Sequence, residues 1–227
     1  MLDLEEYDEV LSIRMSRRVL GREVSRSFVY LAGGLLIDTG PSKMGEELKR
    51  VLDQRELKLI VNTSCLPESI GNNSLLQRAY SVPVKAHKEA VFNIKHPRSR
   101  GLMPRLMWGQ PLTSKVSKLK SSVHIQEFSF RVIETPSLRA GHICLFEPDR
   151  SWLFSGSLLA CAETDRYQDA AGLIKDLKMI ISLRPQVVYD SSNGLIGEGL
   201  PIFEAAIKSI ENRTYPHSLP EVSIGNR

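Results

Sequence analysis

A short apolar run that ends abruptly in a tight turn occurs twice in the first third of this chain, and it restricts the fold more than any other feature. Residues 34–40 read Gly-Leu-Leu-Ile-Asp-Thr-Gly. Such a run is too short for a helix and, bounded by glycine, reads as a buried strand entering a turn. Leu57 to Val61 repeats the form and runs into Asn-Thr-Ser-Cys-Leu-Pro-Glu-Ser-Ile-Gly-Asn at 62–72.

The rest of the sequence alternates in the same style, without internal repeats or low-complexity tracts. Strands are predicted at 9–14, 27–32, 34–37, 57–62, 82–86, 122–126, 129–134, 142–147, 151–155 and 187–190. They are short, β-branched or aromatic, and bounded by Gly, Pro or charge. Helical spacing of Ala170, Leu173, Ile174, Leu177 and Ile181 predicts a helix over 166–183. A second at 43–53 places Met44, Leu48, Val51 and Leu52 on one face. A third, about 201–212, starts at Pro201 and buries Phe203, Ala206, Ile207 and Ile210. Pro216 and Pro220 mark a loose tail, 214–227. The pattern predicts mixed α and β structure, in one domain spanning 1–227.

A chain of 227 residues buries one substantial core. No apolar run approaches the ~18 residues of a membrane span, and no partnership with a membrane is expected. The acidic start Met1-Leu2-Asp3-Leu4-Glu5-Glu6 does not read as a cationic leader. Cys65, Cys144 and Cys161 are odd in number and scattered, which predicts reduced thiols and a cytoplasmic home.

Further brackets follow: Thr135-Pro136, Gly141-His142, and Leu153-Phe154-Ser155-Gly156-Ser157-Leu158. Taken together, over roughly residues 8 to 210, their order and spacing resemble the metallo-β-lactamase-like hydrolase superfamily. The resemblance implies a four-layer αββα sandwich with a two-metal cleft at one edge of its two sheets. The family loop Thr-His-x-His-x-Asp-His-x-Gly falls on Thr63 to Gly71. That puts Ser64, Leu66, Glu68 and Ser69 at ligand positions. The signature Thr-Pro-Gly-His-x-x-Gly-His falls on Thr135 to His142, so its ligand position is Leu138. The bridging aspartate of Phe-Ser-Gly-Asp-x-Leu becomes Ser157, and the last ligand falls nearest Ser192.

Zinc takes imidazole, thiolate or carboxylate donors, usually three or four around one point. Of the seven aligned positions only Glu68 offers one, with Cys65 and Asp190 nearby in sequence. One or two ligands do not lower a bound water's pKa to about 7, as catalytic zinc does. The sequence therefore predicts no metal, no cofactor and no assigned catalytic residue. Cys65, Glu68 and His142 are the candidates for replacement chemistry, a thiolate nucleophile with His142 as its base. Asp38, which in the family braces the metal loop, reads alternatively as a turn carboxylate accepting backbone N–H groups. His142, opening an apolar strand, reads as structural. His87, in Ala86-His87-Lys88-Glu89, falls on the histidine of a family Ala-His-x-x-Glu segment and has no ligand role.

Positive charge concentrates at 85–120, the family's variable region and often a helical insert over the cleft. Nine lysines and arginines, among them Lys95, Arg98, Arg100 and Arg105, stand there against Glu89 alone. Such a stretch suits an acidic ligand, an acidic protein face or nucleic acid. Phe92 and Trp108 are too few for a base-stacking surface. A solvated basic face is the plainer reading. Together these features predict a non-catalytic protein that binds a ligand or partner through the former cleft or the basic insert. The alternative is a hydrolase of an ester, thioester or phosphoester with a metal-free or displaced-metal mechanism.

Overall fold

The computed structural model describes residues 1–19, 22–99, 101–164, 166–197 and 199–214. Arg100 and nearly all of the predicted tail lie outside the described residues. Two sheets form from consecutive strands. Sheet one begins as an antiparallel meander of β1 (Leu2–Tyr7), β2 (Val10–Val19), β3 (Arg22–Ala32) and β4 (Leu35–Ile37). It continues with parallel β5 (Leu59–Asn62), β6 (Val84–Ala86) and β7 (Val116–Lys118). Sheet two runs from β8 (Ser122–Ile125) through β9 (Phe128–Glu134), β10 (Ile143–Glu147) and β11 (Trp152–Gly156). It ends with β12 (Val187–Asp190), parallel to β11, and β13 (Gly194–Gly197).

Strand residues alternate between faces, and the consequence is three separate cores. Tyr30, Leu35, Ile37 and Val61 of sheet one meet Phe130, Leu145, Phe154 and Tyr189 of sheet two. There the Phe154 and Tyr189 rings stack with centroids 4.6 Å apart. The alternate residues Leu36, Ile60 and Val84 face outward under α1 (Gly45–Leu52), α3 (Asn73–Tyr80) and α4 (Lys88–Lys95), meeting Leu48, Leu76 and Ile94. On the far side Cys144, Phe146, Leu153 and Val188 pack on α6 (Leu158–Glu163), α7 (Ala170–Ser182) and α8 (Gly199–Thr214), through Leu158, Leu173, Leu177 and Phe203. Helices, sheet, sheet, helices: this is the αββα sandwich that the resemblance implies.

Differences from the sequence reading have physical causes. Strand β1 is missed because it is an exposed acidic edge, with only Leu2 even partly buried. Charge on an edge strand discourages pairing with other chains and also hides the strand from pattern reading. The helix predicted from 166 begins at Ala170, after Asp169 in extended conformation. Segment 85–120 is more than an insert: its ends supply β6 and β7, and its middle holds α4 and α5 (Leu102–Trp108). Sheet one therefore has unlike rims, the acidic β1 at one edge and β7 at the other, flanked by Lys115, Lys118 and Lys120.

Candidate functional site

The loops after β5, β9, β11 and β12 are tied into one seam by buried hydrogen bonds. Asp38, just beyond β4, holds φ at 62°, a left-handed conformation that aspartate tolerates. Its Oδ1 accepts the Thr63 amide at 2.8 Å and its Oδ2 the Thr63 hydroxyl at 2.6 Å. It thus braces the loop after β5 across 25 residues of sequence, the family role, by accepting a backbone N–H, the plainer one. Thr63 in turn passes its carbonyl to the Ile143 amide of sheet two at 2.9 Å. A side chain on Gly156 has no room here: its Cβ would lie 2.7 Å from Thr63 Oγ1 and 3.0 Å from His142 Nε2, at a φ of +57°. Asp190 Oδ1 accepts the Ser192 and Asn193 amides, each at 2.9 Å, while Oδ2 accepts the Ser155 hydroxyl at 2.8 Å.

Sequence reasoning missed a second clamp. Asn72 Nδ2 donates to the carbonyls of Thr39 at 2.6 Å and Pro41 at 3.0 Å, while Asn73 exchanges hydrogen bonds with Asn62 and accepts one from the Thr39 hydroxyl. All four side chains are buried. The adjoining asparagines after Gly71 were the available signal, since a polar pair in a folded loop needs partners.

Of the aligned ligand positions, three in the loop after β5 are joined by hydrogen bonds, without metal-binding chemistry. Ser64 and Ser69 are buried with their hydroxyls 3.0 Å apart, and Ser64 Oγ also accepts the Leu66 amide at 3.2 Å. Glu68, on the one-turn helix α2 (Pro67–Ile70), stands near enough for its charge to act on Asp38 and Cys161. Ser157 precedes α6 and is buried, as is Leu138, which packs with Leu158, Leu159 and Cys161 under the helices of sheet two. Ser192 is partly buried and fixed by Asp190. Among the described residues no side-chain hydrogen bond joins Glu68, Leu138, Ser157 or Ser192 to another of the seven positions. Nor is there a group of three or more His, Cys, Asp or Glu placed to hold a metal ion. Two alkyl groups, four hydroxyls and one carboxylate do not fit the two-metal centre that the fold implies.

The catalytic candidates separate. His142 is buried, with Nδ1 2.6 Å from the Thr135 hydroxyl. Burial, with help from the Arg139 charge, pushes its pKa down to about 3, so the ring is neutral and a feeble base. Burial pushes the Asp38 carboxyl up to about 7 despite the Thr63 bonds. His87 caps α4 and reaches Glu134 at 3.2 Å, a structural duty. Four polar atoms around the seam are buried and lack a well-formed hydrogen bond: Glu68 Oε2, Arg139 Nε, His142 Nε2 and Ser157 Oγ.

The neighbours of the aligned positions, rather than those positions themselves, line a cavity of about 290 Å³. Cys65, Pro67 and Arg139 come from the seam, and Asn93, Arg98 and Pro111 from segment 85–120. Cys65 is the one cysteine that is not buried. The exposed cations of 85–120 are dispersed rather than gathered. Arg105 lines a cavity of about 650 Å³ with Lys43 and Arg78, and Lys95 one of about 670 Å³ with Lys115. No helix among the described residues is long and apolar enough to cross a membrane.

Comparison with solved structures returns the same layering at low identity. A metallo-beta-lactamase from Pontibacter korlensis superposes with a TM-score of 0.72 at 18% identity, covering 93% of this chain and 100% of that one. A metallo-beta-lactamase family protein from Thermus thermophilus gives 0.68 at 14% identity, covering 92% and 82%. An archaeal superfamily protein from Sulfolobus tokodaii gives 0.61 at 18% identity, covering 88% and 85%. At such identities the likeness speaks for the fold alone. No curated protein matches the sequence. The profile of the metallo-beta-lactamase superfamily matches residues 23–189, from the third strand into the twelfth. With the two sheets, their helices and the profile in agreement, this chain belongs to the metallo-β-lactamase superfamily.

Proposed function

We propose that this chain is a non-catalytic member of its superfamily, working in the cytoplasm, that binds a ligand or partner through the former cleft or the basic segment 85–120. One observation carries the reading: the Ser64 and Ser69 hydroxyls, at positions aligned with metal ligands, are spent on each other at 3.0 Å. Leu66 and Leu138 offer no donor atom, and Glu68 alone is a carboxylate. Without a Lewis acid or a metal-activated water, the hydrolysis typical of this fold loses its nucleophile. The rival, a thiol hydrolase built on Cys65, needs a base to activate the thiol. His142 is held by Thr135 and by its own burial in a state unsuited to that work. Three unpaired cysteines accord with a reducing compartment.

Elemental analysis of untagged protein, with esterase, thioesterase and phosphodiesterase assays, tests the proposal. The expected result is no stoichiometric zinc, iron or manganese and no metal-dependent turnover. About one equivalent of metal resisting dialysis, or turnover that disappears with a chelator, overturns it. Turnover lost in Cys65→Ser but insensitive to chelator establishes the thiol alternative instead.

A further inference from the structure

We propose that the cavity of about 290 Å³ beside the seam binds a small phosphate-bearing molecule, gripped by the guanidinium groups of Arg98 and Arg139. The proposal rests on the reading that the old cleft binds rather than hydrolyses, and it names the ligand class.

The cavity carries an imbalance of charge. Two arginines line this cavity and no carboxylate does. Among the described residues neither guanidinium has an Asp or Glu oxygen within 4.0 Å, although five arginine–carboxylate pairs form elsewhere among them. Arg139 Nε is moreover buried with no acceptor, a desolvated donor whose bond is missing. An oxyanion seated in the cavity supplies the missing charge to both guanidinium groups.

The shape narrows the class. Guanidinium forks match the paired oxygens of carboxylate and phosphate. A phosphate monoester carries roughly −1.5 to −2 at neutral pH, so it balances both arginines, whereas a monocarboxylate balances one. The Asn93 amide is a further donor on the same wall, and Ile70 gives an apolar surface for a short carbon chain. Pro67, Pro97 and Pro111 stiffen the rim, which lowers the entropic cost of binding. The volume sits at the lower end of ligand pockets, roughly 300–1,000 Å³. That suits a small metabolite-sized phosphate and excludes a folded polyanion from the cavity.

Cys65 makes occupancy measurable, because it lines the cavity while Cys144 and Cys161 are buried. The experiment uses the full chain, with inorganic phosphate and glycerol 3-phosphate as probes and acetate as the monoanionic control. Calorimetry reports binding, and the rate of Cys65 alkylation by neutral iodoacetamide reports where it occurs. Both phosphates are expected to bind saturably and to slow alkylation several-fold, and acetate to do neither. Arg139→Gln and Arg98→Gln each weaken phosphate binding by about tenfold or more, as loss of a charge-assisted hydrogen bond predicts. Lys120→Gln, on the exposed surface outside the cavity, leaves it unchanged. Because Arg139 is partly buried, Arg98→Gln, at an exposed position, keeps the test valid if Arg139→Gln fails to fold.

Absence of saturable binding, absence of Cys65 protection, or equal protection by acetate overturns the proposal. So does undiminished binding in folded Arg98→Gln and Arg139→Gln. A metal-free, inactive protein that ignores phosphate fails here alone, whereas metal-dependent turnover fails the non-catalytic reading and leaves the phosphate result to stand or fall separately.

Discussion

The seam and segment 85–120 face the same cavity, yet they are built on opposite principles. At the seam the bracing side chains have assigned partners: Asp38 on Thr63, Asn72 on Thr39 and Pro41, Asp190 on Ser155 and two amides. In 85–120 the cations Lys95, Arg98 and Arg105 are exposed, and among the described residues none has a carboxylate partner. The contrast separates the parts of a site that hold its shape from those that carry its chemistry. The bracing residues Asp38, Thr63, Gly156 and Asp190 hold loops to strands and to each other, and none of them is an aligned ligand position. Ligand positions can therefore turn into serine and leucine while the loops stay in place. The outer segment is under no such restraint.

Removing a brace should give the largest effect. Asp38→Ala leaves the buried amide and hydroxyl of Thr63 without an acceptor, and should lower unfolding free energy by about 2–4 kcal/mol in urea titrations. A loss under about 0.5 kcal/mol would mean that the seam is not the stabilising element described here.

A subtler break comes from pH. Asp38 has its carboxyl raised from 3.8 to about 7, so its contribution is present below the unfolded value and lost as pH rises through about 7. His142, lowered from 6.5 to about 3, works in the opposite direction: its contribution is present above 6.5 and lost as pH falls toward 3. The two slopes mask each other in the native chain. Asp38→Asn removes one of them and keeps an oxygen for the Thr63 amide. The stability advantage of the native chain over this variant should therefore shrink by about 1–3 kcal/mol between about pH 5 and about pH 8. A constant difference across that range would show that Asp38 titrates as an ordinary carboxylate.

The smallest structural effect is expected in the outer segment. Reversing Arg98, Arg100 and Arg105 to glutamate should change stability by less than about 0.5 kcal/mol. If the segment is a binding surface, affinity for an acidic partner or nucleic acid should fall in the same variant, and in the native chain should fall steeply with salt. Unchanged affinity, or none at low salt, leaves 85–120 as a solvated face.

Sequence alone revealed the architecture well where strands are buried on both sides. Val187–Asp190 is found at the predicted bounds, and 34–37 and 129–134 differ by one residue at one end. Residues 34–37 and 187–190 are apolar until a turn or a charge ends them, while 129–134 is legible from alternation, with Phe130 and Ile133 buried and Arg131 exposed. Elements with one wet face were harder. The helices Asn73–Tyr80 and Lys88–Lys95 are eight residues each, too short for a period to stand out, and β1 alternates apolar with acidic residues at an edge. At the site, the substitutions at 64, 66, 69 and 138 were readable because the family loop gave positions to compare. The bracing by Asp38 was readable only through the same resemblance, because a hydrogen bond from Thr63 to Asp38 spans 25 residues and leaves no local periodicity, and the Asn72–Asn73 clamp was missed. The cavity was not readable either, since Arg98 and Arg139 lie far apart in sequence and meet only through folding.

The unlike rims of sheet one carry a consequence of their own. Asp3, Glu5 and Glu6 lie on the first strand, and Lys115, Lys118 and Lys120 in and around the seventh. Seven strands spaced about 4.8 Å apart put the two rims roughly 29 Å from each other. That is several times the ~8 Å screening length of physiological salt, so the opposite charges do not neutralise one another. Each rim therefore acts on its own surroundings: Asp3 and Glu6 are met locally by Arg14 and Arg55 at 3.6 Å each, whereas Lys115, Lys118 and Lys120 have no carboxylate within 4.0 Å among the described residues and leave their charge to whatever approaches that edge.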